Sequence, residues 1–216
     1  MSIKILDTVV LRVMSFAHPR GIDILLETLD ISSARFPAEI YNRDENSRPL
    51  EEDDEGLSEL GKGLRYAQRQ IQQLPNTDVE ALRCRKWLRN AQQLPRHFQN
   101  GSLVVETLTV EELNEREILQ KQYPKCHKGE AACLVLAKRY QGQAVFLSSD
   151  GGGCKVAEDL GIPYLTLKDI LQVWVEQKQP TLEEFDRLVS GMKNAKKGLK
   201  KAFVDELRQK LQNSGS

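Results

Sequence analysis

The chain has 216 residues, 40% of them hydrophobic and 29% charged, too apolar for wholesale disorder and sized for one domain with appendages. Lys plus Arg and Asp plus Glu number 31 each, which excludes a polycation that coats nucleic acid by bulk charge and leaves only local basic faces. No apolar run reaches the roughly 18 residues a membrane span needs, and the Met1-Ser2-Ile3-Lys4 start lacks a secretion-signal pattern, so a cytosolic protein with no membrane partner is expected.

Ile3 to Leu11 is a β-branched, apolar run that predicts a first strand buried on both faces, with Asp7 as the odd residue in it. After Pro19 and Gly21, residues Ile22, Leu25, Leu26 and Leu29 share one helical face, and 36–41 predict a weak second strand or a turn into a helix. Glu51 to Glu55 is a purely acidic run, expected as a solvated loop or a helix's first turn. Leu57, Leu60, Leu64, Ala67 and Ile71 repeat at helical spacing up to Pro75, and a second helix runs from Val79 to near Pro95. That helix carries Arg83, Arg85, Lys86 and Arg89 around Trp87. The pattern suits either an RNA-tracking face with one stacking aromatic or a solvated face with Trp87 in the core.

Further on, Ser102 to Val105 predicts a strand, Val110 to Gln120 a helix, and Gly129 opens an Ala-rich helix that stops near Gly142. Ala144 to Asp150 reads as a strand whose last residue is acidic. Gly151 to Gly153 reads as a turn, either presenting backbone N–H groups to a phosphate or needing positive φ, before a helix from Cys154 to Leu160. Ile162 to Leu165, with Pro163, predicts an edge strand. Thr166 with Asp169 and Thr181 with Glu184 are capping pairs ahead of the closing helices, and 213–216 form a polar tail. Alternating strands and helices predict a three-layer α/β/α domain over 1–180 with a central parallel sheet, a helical insertion at 50–97 and a helical extension over 181–212.

Ligands of such sheets bind outside the carboxyl ends of the strands. Asp7 falls near the end of one predicted strand, Asp150 at the end of another and Glu130 in the first turn of a helix, so the three can converge. Gathered carboxylates call for a counter-cation or a raised pKa, and oxygen donors select Mg²⁺ or Mn²⁺. A cation held with open positions is the usual apparatus for hydrolysing a phosphodiester. The plainer role for such acids is helix capping or solvated turns. Cys84, Cys126, Cys133 and Cys154 follow no zinc spacing, and the neighbours Cys126 and His127 lack a third group to orient them as a hydrolase pair, so free or buried thiols are expected.

Ile5-Leu6-Asp7-Thr8, Lys128-Gly129-Glu130-Ala131-Ala132, Leu147-Ser148-Ser149-Asp150 and Lys155 to Ile162, in that order, resemble a PIN domain, nearest its prokaryotic toxin-type branch. The resemblance implies a metal-dependent endoribonuclease using Mg²⁺ or Mn²⁺, often the toxin of a toxin–antitoxin pair, with RNA as substrate, an antitoxin or other regulatory protein as partner, and homodimers. It places Asp7, Glu130 and Asp150 as catalytic and metal-binding acids. Glu39, Asp44 and Glu45 are the candidates for a further acid. Candidate phosphate or RNA contacts are Thr8, Ser148, Gly151, Gly152 and Lys155, with the basic face of Arg83, Arg85, Lys86 and Arg89. Val9 stands where the family often has Asn, and glycines replace the basic residues that often follow the last acid. These departures define the alternative, a PIN-like module that binds nucleic acid or a protein without turnover.

Overall fold

The computed structural model describes residues 2–41 and 54–214. Five short strands, β1 (Ile3–Leu6), β2 (Ala34–Pro37), β3 (Leu103–Glu106), β4 (Ala144–Leu147) and β5 (Tyr164–Leu165), form a sheet in the order β3-β2-β1-β4-β5. Every pairing is parallel, and β1 runs beside β4 from Ile3 opposite Ala144 to Leu6 opposite Leu147. The chain steps outward from β1 to β3, then returns to place β4 on the other side of β1. The point of reversal, where a doubly wound sheet opens a crevice, therefore lies at the carboxyl ends of β1 and β4.

Right-handed crossovers put the helices of the two half-sheets on opposite faces. On one face α7 (Lys128–Arg139) packs across β1, β2 and β4, with α6 (Val110–Gln122) beside it. Every residue of α7 from Gly129 to Ala137 is buried, which explains a helix apolar all round. The second group packs around α1 (Thr8–Ala17) and comprises α2 (Gly21–Thr28), α3 (Glu59–Gln73), α4 (Val79–Ala91) and α10 (Leu182–Asn194). The three-layer α/β/α expectation holds. Short helices α5 (Leu94–Gln99), α8 (Gly151–Asp159) and α9 (Leu167–Val173), a π-helical turn (Trp174–Lys178) and α11 (Lys201–Ser214) complete the chain. Among the described residues no helix is long and apolar enough to cross a membrane.

Several expected boundaries move. The first strand ends at Leu6 rather than Leu11, because Asp7 accepts the Thr8 N–H at 2.6 Å and starts α1. Val10, Leu11, Val13 and Met14 are all buried in that helix, so its sequence shows no helical period. The fourth strand ends at Leu147, three residues short of Asp150, and Gly151 to Gly153 form the first turn of α8 rather than a loop. None of these three glycines has positive φ. Pro95 sits inside the first turn of α5, where its missing N–H costs nothing, instead of ending α4. Within the acidic run, 51–53 lie outside the described residues, while Asp54 pairs with Arg65 and Arg69 of α3.

α10 is core structure. Phe185, Leu188 and Met192 are fully buried, and a Cβ on Gly191 would stand 2.0 Å from the Ala17 carbonyl oxygen of α1. Only glycine allows the two helices to approach that closely.

Candidate active site

An open cleft of about 430 Å³ lies over the reversal point, lined by Asp7, Thr8, Val9, Arg12, Glu59, His127, Lys128, Gly129, Glu130 and Asp150. It gathers the three acids expected from the sequence. Asp7 follows β1, Asp150 follows β4, and Glu130 is the third residue of α7. Gly129 makes the approach possible: a Cβ there would meet Ile40 at 3.0 Å, Thr8 Oγ1 at 3.5 Å and Glu59 Cγ at 3.9 Å.

Asp7 is buried, with both oxygens engaged. Oδ1 accepts from Thr8 N–H and Oδ2 accepts from the Ser148 hydroxyl at 2.8 Å. Burial raises its pKa, the hydrogen bonds from Ser148 and the backbone oppose that, and the nearby Asp150 charge adds to it. Ser148 Oγ also accepts the Asp150 N–H at 3.1 Å, so one hydroxyl ties the two strand-end acids together. Asp150 caps α8 by accepting from Gly152 N–H at 2.8 Å.

Glu130 is buried; its Oε2 accepts the His127 N–H at 2.9 Å, while Oε1 is buried without a hydrogen-bond partner. Burial, with the charges of Asp7 and Asp150, pushes its pKa up to about 7. When Glu130 is ionised, Oε1 is left without a hydrogen-bond donor. Gly153 provides the space, since a Cβ there would lie 2.8 Å from Oε1. Gly152 has a parallel reason: its Cβ would lie 2.7 Å from the Lys125 carbonyl oxygen.

The donor set is oxygen-only, carries excess negative charge and includes a buried, unpaired carboxylate oxygen, which suits a hard divalent cation. Among the described residues no three His, Cys, Asp or Glu side chains close around one point as a metal cage. Asp7 and Asp150 explain this, because their oxygens turn back onto backbone N–H groups and Ser148. A few carboxylates with open positions match an ion that retains several waters, as Mg²⁺ does.

The other candidates separate. Thr8 lines the cleft, and Ser148 lies buried beneath it. Gly151, Gly152 and Lys155 line a neighbouring groove, where Lys155 pairs with Glu158 and Asp159. Glu39 sits just beyond β2, but its carboxylate is held by Arg116 at 2.6 Å. Asp44 and Glu45 lie outside the described residues. Arg83, Arg85, Lys86 and Arg89 do not line the cleft. Trp87 is buried and stacked on Phe16 with ring centroids 5.3 Å apart, which overturns its reading as a base-stacking platform. Arg83 and Lys196 lie over its ring.

Two cleft residues were missed by sequence reasoning. Glu59 opens α3 directly after its cap, Ser58, which accepts the Gly61 N–H. Arg12 lies one turn beyond Thr8, with a buried Nε that has no hydrogen-bond partner. The helical spacing from Leu57 to Ile71 was legible, but only the folded chain brings Glu59 to the other acids. Cys126, Cys133 and Cys154 border the acids as free thiols, and burial together with the neighbouring carboxylates raises their pKa values, Cys126 to about 12 and Cys154 to about 11.

No curated protein and no solved structure matches the chain. A family model described as a PIN domain matches residues 88–213, from within α4 to the end of α11 and including Glu130 and Asp150. The doubly wound sheet, the acids at its reversal point and a match over more than half the sequence agree: the chain belongs to the PIN-domain family, whose fold is that of nucleases acting on nucleic acid with divalent ions.

Proposed function

We propose that the protein is a Mg²⁺- or Mn²⁺-dependent endoribonuclease whose catalytic and metal-binding acids are Asp7, Glu130 and Asp150. The observation that carries this reading is the buried, unpartnered Glu130 Oε1 in a cleft shared with Asp7 and Asp150. An ionised carboxylate oxygen is costly to bury unless something charged or proton-bearing meets it.

In this reading Asp7, Glu130 and Asp150 hold the ion, and Ser148 fixes Asp7 against the Asp150 turn. When bound, a divalent ion supplies Lewis-acid polarisation of the phosphoryl oxygens and offsets the acids' repulsion. Arg12 and Lys128, the cationic side chains of the cleft, draw in and orient the phosphodiester. Glu130 Oε1, with a pKa near 7, takes up a proton when the ion is absent and releases it when the ion binds.

The likeness of Gly129 to Ala132 and of Lys155 to Ile162 to the toxin-type branch extends the proposal to a pair with a small inhibitory protein. Expression of the chain alone is then expected to arrest growth, and growth unaffected by expression removes the toxin role. The nuclease role is tested with a mixed single-stranded RNA pool. Cleavage that requires Mn²⁺ or Mg²⁺ and is lost in folded Asp7→Asn and Asp150→Asn proteins is expected. A wild type inert with both metals supports the non-catalytic module instead.

A further inference from the structure

Beside the cleft, a second depression of about 620 Å³ runs between the turn after α6 and the first turn of α8. Its walls are Gln122, Tyr123, Pro124 and Lys125 on one side and Gly151, Gly152, Lys155 and Val156 on the other. We infer that this groove holds the base of the nucleotide next to the phosphate at the carboxylates. The inference rests on the ribonuclease reading of the adjoining acids.

Position comes first. Gly151 and Gly152 follow Asp150 directly, so a strand with a phosphate at that acid meets the groove as it leaves the cleft. The surface comes second. Tyr123, Pro124, Val156 and two bare glycine backbones make a mainly apolar trough, with an aromatic ring of the kind on which any base can stack. Gly152 sets its depth, since the Lys125 carbonyl oxygen lies 2.7 Å from where a Cβ would be. Charge comes third. Exposed Lys125 and Lys155 stand at the rim, one on each wall, Lys155 retaining its Glu158 and Asp159 partners. An apolar floor between two ammonium groups matches a base flanked by phosphates. A duplex keeps its bases stacked inside and offers none to such a floor.

Gly151 gives a direct test, because nothing lies within 4 Å of a Cβ built there. Gly151→Leu therefore adds apolar bulk at the wall of the groove without crowding the fold, and Tyr123→Ala removes the ring. Labelled single-stranded RNA hexamers, one intact and one with abasic positions, are titrated in EDTA so that no cleavage intervenes. The wild type is expected to bind the intact hexamer about tenfold more tightly, and both variants are expected to lose that preference. Unchanged preference in Gly151→Leu overturns the groove, as does a wild-type dimer that Gly151→Leu dissociates, since a second copy then occupies it. Cleavage with Mn²⁺ is scored separately. Cutting by wild type with unchanged preference in the variants removes the groove alone. Preference lost in the variants of a wild type that never cuts removes hydrolysis and leaves the groove.

Discussion

The Ser148 hydroxyl donates to Asp7 Oδ2 at 2.8 Å, across the boundary between β1 and β4. In Ser148→Ala that buried oxygen loses its donor. A stability loss of about 1–3 kcal/mol is expected, larger at pH 8 than at pH 5 because the ionised form of Asp7 depends most on the bond. Urea unfolding at the two pH values measures it, and equal midpoints for wild type and variant would contradict it.

Glu130 gives the fold a pH dependence of definite sign. Its pKa rises from the ordinary 4.5 to about 7 on folding, so the native state holds the extra proton between those values. The stabilisation is complete below about 4.5 and disappears as pH rises through about 7. Asp7, also raised by burial, acts in the same direction. Glu130→Gln is therefore expected to exceed wild type at pH 8 by on the order of 2–3 kcal/mol, with a smaller difference at pH 5, while losing cleavage. Thermal melts with and without Mn²⁺ check this, and the ion should stabilise only the wild type strongly.

The three acids stood out in the sequence because each breaks the pattern around it. Asp7 is the one acid inside an apolar run, Asp150 precedes glycines and Glu130 opens an Ala-rich helix. The sheet was legible in the alternation of strands and helices. The start of α1 was not, since a helix buried on most sides reads like a buried strand. The roles of Gly152 and Gly153 were equally hidden: their close neighbours, the Lys125 carbonyl and Glu130 Oε1, lie more than twenty residues away along the chain.

Glu39 and Glu59 differ in what surrounds them. Glu39 is tied to Arg116 at 2.6 Å, whereas Glu59 pairs loosely with exposed Lys62 at 3.8 Å and opens onto the cleft. Glu59→Gln is expected to weaken Mn²⁺ binding several-fold at little cost in stability. Glu39→Gln is expected to leave Mn²⁺ affinity unchanged and lower stability by about 1–3 kcal/mol. Calorimetric titration beside urea melts distinguishes the two, and reversed outcomes would exchange their roles.

Trp87 and Arg12 form a second contrast. Trp87→Ala removes a buried ring stacked on Phe16 and is expected to cost about 3–5 kcal/mol. Arg12→Ala is expected to leave the melting curve near wild type, weaken RNA binding and lower its salt dependence by about one phosphate contact. Anisotropy titrations at several salt concentrations measure the latter, and an unchanged slope would place Arg12 outside the RNA path.

Among the described residues every acid of the cleft stands at the beginning of a helix: Asp7 before α1, Glu59 in α3, Glu130 in α7 and Asp150 before α8. Four helix N-termini, each carrying roughly half a positive elementary charge, thus border the same cleft. The backbone itself supplies a standing counter-field, which offsets part of the crowding of the carboxylates and leaves the remainder to the proton that Glu130 holds up to a pH near 7.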